Sequence, residues 1–451
     1  MKLIGALLIT LSSLTPASSV FIIVPGIVHQ AGTGALLSFS AAALVSMFIA
    51  FVYAELCSAF PFTGGEYAIV GRVLGPFPGF IVLGVNLLVL LLNISVVALG
   101  IGQYLAPIIG DVSPAWAALV SVIFTTLCGI LNIRTNALIT GAFLALELLA
   151  LVVLTVLGLS HPVRPLLPML THPLVLGGSG LVPAGLGALG LAGSASIFAN
   201  YGFGNAIFLG EETHDAPRRI ARAVLLALLI GFITQLIPLA AVLTGASDLT
   251  ALFNAGDGMF GYFVAERGGR VVSLVISLSI ALAIINCNIA FVVLVARLLF
   301  STGRDNVWPA PVNRALLLIH PRFGSPWVAT LACGLLAAAL CFVPLDVLVV
   351  LTGTTIVVVY GALCVSALVG RRTGRTAAAP YRMPWHPWPS VLGLLGLAYV
   401  IYANALDPDV GRPSLWATLL VVVASAAYYR FVLRRRGAWV LHQPLDPAGP
   451  L

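Results

Sequence analysis

From Phe77 to Ile109 the chain carries no Asp, Glu, Lys or Arg. A helix needs about 20 apolar residues to cross the hydrocarbon of a bilayer, and this run is one of twelve that approach or exceed that length. Their approximate limits are 3–28, 35–60, 77–109, 114–133, 136–160, 183–210, 219–245, 271–300, 326–343, 346–370, 389–406 and 414–433; they are numbered segments 1 to 12 in chain order. Hydrophobic residues make up 60% of the sequence and charged residues 8%, against about 25% charged in an average soluble protein. A water-soluble fold has no means of covering that much apolar surface, so the bilayer is the expected solvent. The expected fold class is an all-α integral membrane protein with about 12 transmembrane helices. Residues 1–433 are read as one polytopic domain, followed by a short tail, 434–451. The longest connections, about 161–182 and 246–270, leave no room for a soluble module of useful size.

The basic residues test this map, because Lys and Arg accumulate in cytoplasmic loops. With a cytoplasmic N-terminus, 18 of the 22 Lys and Arg fall on the inner side. Only Arg164, Arg267, Arg270 and Arg412 fall outside. A miscounted segment would invert every loop after it and destroy the asymmetry. Both termini are therefore expected in the cytoplasm. Trp116, Trp327, Trp388 and Trp416 lie near segment ends, as interfacial aromatics do. The same count bears on the N-terminus, which superficially reads as a secretory leader. Cleavage near Ser19 would leave VFIIVPGIV, too short to cross the bilayer, so a retained first helix is expected.

The net charge of +7 resides in short inter-segment loops, which argues for topology and against nucleic-acid binding. The six cysteines sit in or beside apolar runs without zinc or redox spacing and read as packing residues. The seven histidines lie in loops or at segment ends, and no metal site is expected.

A break in a lipid-embedded helix frees backbone groups that must face a cavity, a ligand or another helix. Segment 1 contains Ser12-Ser13-Leu14-Thr15-Pro16-Ala17-Ser18-Ser19, where Pro16 opposes a straight helix. Segment 6 contains Asn200-Tyr201-Gly202-Phe203-Gly204-Asn205, a poor sequence for a continuous helix. Breaks in segments 1 and 6 are the pattern of two five-helix repeats in inverted topology, with substrate held at the midplane. The repeats would span about 3–160 and 183–370, with two further helices at 389–433. Freed amides suit a carboxylate and freed carbonyls an ammonium or cation.

Four stretches resemble the amino acid–polyamine–organocation transporter superfamily, whose fold was first associated with LeuT. They are AELCSAFPFTGGEYAIVGRVLGP (54–76), FANYGFGNAIFLGEETHDAPRRIARAV (198–224), ARLLFSTGRDNVWP (296–309) and YRMPWHPWPSVLGLL (381–395). They occur in the family's order and spacing over nearly the whole chain. The resemblance implies a secondary transporter working by alternating access. It places the family's Gly-Ser-Gly carboxylate site on Ala17-Ser18-Ser19, where only Ser18 matches. It places the ammonium-binding carbonyls on Asn200-Tyr201-Gly202-Phe203, and a gating aromatic on Phe198.

Glu147 is the one acidic residue midway along a segment, the fifth. A carboxylate there is costly and marks a functional candidate. Family members often carry Lys or Glu at the corresponding place, which implies a coupling role with a proton as the ion or, alternatively, sodium. Asn93, Asn286, Asn288 and Thr354 are mid-segment polar residues that would line a cavity or join helices. Glu55, Glu66, Glu211, Glu212 and Arg297 fall near inner ends and read as gate contacts. Segments 1, 3, 6, 8 and 10 have no Asp or Glu in their central parts. A cationic side chain would need one there, so a neutral amino acid is the expected substrate. An amine or polyamine transporter or exchanger is the alternative, as is a non-transporting sensor of the same fold. A channel would need a continuous polar file, and an enzyme a nucleophile–base pair inside the segments; neither is visible. No cofactor is expected, and the oligomeric state stays open.

Overall fold

A computed structural model describes residues 3–437 and 439, apart from 62, 63, 111, 132 and 179; for 107, 133–140, 211 and 212 it describes the backbone alone. All twelve apolar segments coincide with helical structure. Among the described residues eight helical runs are long and apolar enough to cross a membrane, the first of them, Leu3–Ala59, containing segments 1 and 2. Two more, Pro114–Gly129 and Trp327–Leu340, are apolar but shorter. Segment 6 is a helix, Leu186–Ala199, followed by a 3₁₀ stretch, Phe203–Glu212. Segment 8 begins inside Met259–Arg304, which is interrupted at Gly269 (φ 74°).

Hydrogen bonds tie several of the connections together in two groups. In one, Arg375 Nη1 donates to the carbonyls of Arg72 (2.7 Å) and Val73 (2.6 Å), joining the 10–11 and 2–3 connections. Tyr67 donates to Asp305 Oδ2 (2.7 Å), which adds the 8–9 connection. In the other, the amides of Val163 and Arg164 bond the Thr244 carbonyl (2.9 and 3.2 Å), joining the 5–6 and 7–8 connections. The 161–182 connection holds more than a loop: a short helix, Leu166–Thr171, and an antiparallel hairpin, Leu174–Gly177 with Gly180–Pro183. The hairpin packs so tightly on the end of segment 1 that a Cβ on Gly32 would collide with the Leu174 carbonyl.

Segment 2 (Ala35–Ala59) is clamped at its end. Glu55 is fully buried and takes a bidentate bond from Arg371 (2.7 and 2.6 Å) at the end of segment 10. Its second oxygen also accepts from the Met383 amide (2.8 Å). A buried carboxylate with three donors is costly to disturb. Because the Arg371 side chain keeps 22% exposure, Glu55→Gln should destabilise the protein by about 1–2 kcal/mol. A lower apparent melting temperature in detergent measures it; an unchanged one would mean the clamp is not needed for stability.

Candidate functional site

Segment 1 breaks one residue earlier than its proline. The helix Leu3–Leu14 ends, Thr15 takes a left-handed conformation (φ 42°), and Pro16 starts the next turn. The residue before a proline is sterically disfavoured in a helix, while Pro itself is suited to the first helical position. A π-helical stretch, Ser19–Ile23, follows before regular helix resumes at Val24–Ala31. Segment 6 stops at Ala199, and Gly202 adopts φ 113° before the 3₁₀ stretch.

The two breaks touch. A Cβ on Gly202 would lie 2.8 Å from Leu14 Cα, 3.0 Å from Leu14 N and 3.1 Å from the Ser13 carbonyl. Glycine is required there both for its backbone angle and for the contact. Asn205 Nδ2 donates to Ser13 Oγ (3.1 Å) and reinforces the junction.

Glu147 comes to the same place from segment 5. Its Oε1 accepts from the Ala17 amide (2.9 Å) and from Thr15 Oγ1 (2.8 Å). The left-handed turn at Thr15 takes Ala17 N out of the helical ladder, and the carboxylate replaces the lost acceptor. Glu147 Oε2 is buried with no hydrogen-bond partner. Cys287 of segment 8 faces Thr15 and Glu147, so segments 1, 5 and 8 converge on this carboxylate. Segment 5 therefore brings an acidic group to segments 1 and 8, which have none in their central parts.

The sequence-derived residues sort by this geometry. Ala17, Ser18, Ser19, Phe198, Asn200, Tyr201, Gly202 and Phe203 are all buried in or beside the two breaks. The Ser18 and Thr15 hydroxyls are 2.9 Å apart. Ser19 Oγ instead donates to the Leu14 carbonyl (3.3 Å), one of the groups the break frees. Ser18→Ala should therefore weaken ligand binding by about 1 kcal/mol, roughly fivefold in Kd, and Ser19→Ala less. Titration of the two variants measures it; full affinity in both would reduce this break to a kink. Phe198 is buried, and its carbonyl accepts from the Tyr201 amide (2.8 Å).

Several polar atoms here have no partner in the protein: Asn200 Oδ1, Tyr201 OH, and both amide atoms of Asn286 and of Asn288. All are buried, and such groups are costly unless a ligand or water meets them. Asn93 is buried on segment 3. Thr354 is engaged elsewhere: its Oγ1 accepts from Asn404 Nδ2 (2.9 Å), which also reaches Ser194 Oγ (2.7 Å), so it helps join segments 6, 10 and 11. The expected gate residues do not form one cluster. Glu55 bonds Arg371, whereas Glu66 bonds Tyr53 and Asn86. The side chains of Glu211 and Glu212 lie outside the described residues. Among the described residues no three His, Cys, Asp or Glu side chains assemble to hold a metal.

Comparison with known proteins agrees with this architecture. The chain is 23% identical over 396 residues to a branched-chain amino acid permease of Bacillus subtilis, covering 82% of this chain and 81% of that one. It is 29% identical over 344 residues to an uncharacterized transporter of Mycobacterium tuberculosis, covering 75% and 72%. It is 24% identical over 306 residues to a low-affinity putrescine importer of Escherichia coli, covering 66% and 65%. The model of an amino acid permease family matches residues 1–425. By that match the chain is a multi-pass membrane transporter, not an enzyme, and belongs to the amino acid permease family of the amino acid–polyamine–organocation superfamily.

Proposed function

We propose that this permease carries a neutral amino acid by alternating access and that Glu147 couples the movement to a proton. The observation that supports it is the bond from the Ala17 amide to Glu147 Oε1. That amide belongs to the stretch that the family resemblance assigns to the substrate carboxylate. An ionised Glu147 both occupies the amide and repels an incoming carboxylate. A protonated Glu147 is a weaker acceptor and carries no charge, so the amide becomes available. Proton and substrate then bind more favourably together than either does alone, which is the condition for symport.

The ammonium of the substrate would meet the carbonyls freed near Asn200–Phe203. The far end would meet apolar and aromatic groups such as Phe198, Tyr201 and Phe291. Among the described residues Glu147 is the one carboxylate bonded to the segment 1 break, and it is already engaged. That favours a neutral side chain over a diamine, in line with the branched-chain amino acid permease of Bacillus subtilis rather than with the putrescine importer of Escherichia coli. The surplus of Arg on the face holding the 2–3, 8–9 and 10–11 connections supports a cytoplasmic placement of that face and of both termini.

A thermal-shift screen of the purified protein tests the substrate class, because a ligand that binds the native state raises its apparent stability. Leucine, isoleucine or valine at acid pH should raise the melting temperature and putrescine should not. The reverse ranking would overturn the assignment.

A further inference from the structure

Beneath the segment 6 break, on the Arg-rich face, four rings form a floor. Tyr53 packs edge-on against Phe203 (5.6 Å) and Tyr360 (5.8 Å), and Tyr360 lies 6.4 Å from Tyr201. These rings come from segments 2, 6 and 10. Tyr53 lies directly on the broken stretch: a Cβ on Gly204 would come within 2.5 Å of its ring. Glu66, at the start of a short helix, Glu66–Leu74, between segments 2 and 3, is an acidic support of the floor. Tyr53 OH donates to Glu66 Oε1 (2.9 Å) and Asn86 Nδ2 of segment 3 donates to Oε2 (2.9 Å). The preceding Gly65 is held under Phe208 of the 3₁₀ stretch, where a Cβ would lie 2.4 Å from the ring. Glu66 therefore bonds the floor and segment 3, and the residue before it packs against the broken stretch.

Glu66 is almost fully buried, and its side-chain partners Tyr53 and Asn86 are neutral. An ionised carboxylate in such a place is disfavoured relative to a hydrated one. We propose that Glu66 is a proton-linked latch of the gate on this face: the closed floor holds Glu66 protonated, and opening toward this face hydrates the carboxyl and releases the proton there. This role is separate from that of Glu147. The groups facing Glu66 are Tyr53 and Cys57 from segment 2, Tyr201 from segment 6 and Tyr360 from segment 10. Ser301 and Arg304, at the end of the helix Met259–Arg304, and Asp305 of the 8–9 connection reach the neighbouring Tyr67. Burial raises the Glu66 carboxyl above the ordinary carboxylate range, which gives the sign. The closed form binds the proton more tightly than the open form. Opening therefore becomes easier by up to tenfold per pH unit, from about pH 4.3 up to the raised value of the closed form, and levels off above it.

Hydrogen–deuterium exchange of the full-length protein in nanodiscs, corrected for intrinsic chemical exchange, reads this directly. Protection of Phe203–Leu209 should fall as the pH is raised from 5 to 8. Glu66→Gln, which cannot ionise, should stay protected at both values, and Glu66→Asp should restore the dependence. Asn86→Asp adds a second carboxylate beside Glu66 and should move the midpoint up by about one unit; it serves also where Glu66→Gln does not fold. A pH-independent wild type, a Glu66→Gln protein with the wild-type response, or an unmoved midpoint in Asn86→Asp would overturn the proposal.

Discussion

Glu147→Gln should abolish proton-driven accumulation while leaving exchange of substrate across the membrane. One proton carried per substrate down a gradient of one pH unit supplies about 1.4 kcal/mol, enough for roughly tenfold accumulation. The variant should stop at about onefold. Glutamine keeps the size of the side chain, and its carbonyl can still accept from the Ala17 amide that Glu147 Oε1 holds at 2.9 Å. It cannot change charge, however, so the competition between side chain and substrate for that amide no longer depends on pH. Uptake and counterflow in the same vesicles separate the two outcomes. Loss of both would mean that Glu147 chiefly supports the fold. Retention of tenfold accumulation would take it out of the coupling.

Gly202→Ala should lower the transport rate on the order of a hundredfold, the cost of about a 1 Å misplacement in a fitted site. The new methyl would meet Leu14 Cα at 2.8 Å and Leu14 N at 3.0 Å. These are backbone atoms and cannot swing aside as a flexible side chain would. The residue would also have to hold φ near 113°, which costs an L side chain about 1–2 kcal/mol. Segments 1 and 6 must then separate where their freed backbone groups are needed. Gly361→Ala is the matching control. Its methyl would find only Leu394 Cδ2 at 4.0 Å, and normal uptake is expected. Equal rates in the two variants would show that contact of the breaks is not required.

The breaks were legible because Pro16, Gly202 and the asparagines around it are chemically poor in a helix interior. The exact turning point was also within reach: a residue preceding proline resists the helical region, and Thr15 is that residue. The position of Glu147 was legible as a mid-segment charge, but its partner was not. A bond between residues 130 apart in sequence follows from how segments 1 and 5 pack. The same holds for Thr354. Periodicity leaves open whether its hydroxyl faces a cavity or a neighbouring helix, and the outcome was set by Asn404 on segment 11. Glu55 and Glu66 read alike as acidic residues at an inner end. One found Arg371 and the other found Tyr53 and Asn86, a difference of tertiary neighbours and not of local sequence. The hairpin at 174–183 went unread because its strands are four residues long.

Uptake of radiolabelled leucine into proteoliposomes, with and without an inward proton gradient, tests the central claim most directly. The account predicts saturable uptake that overshoots equilibrium only with the gradient, and is competed by isoleucine and valine but not by putrescine. Equal uptake with and without the gradient, or accumulation of putrescine in place of leucine, would contradict it.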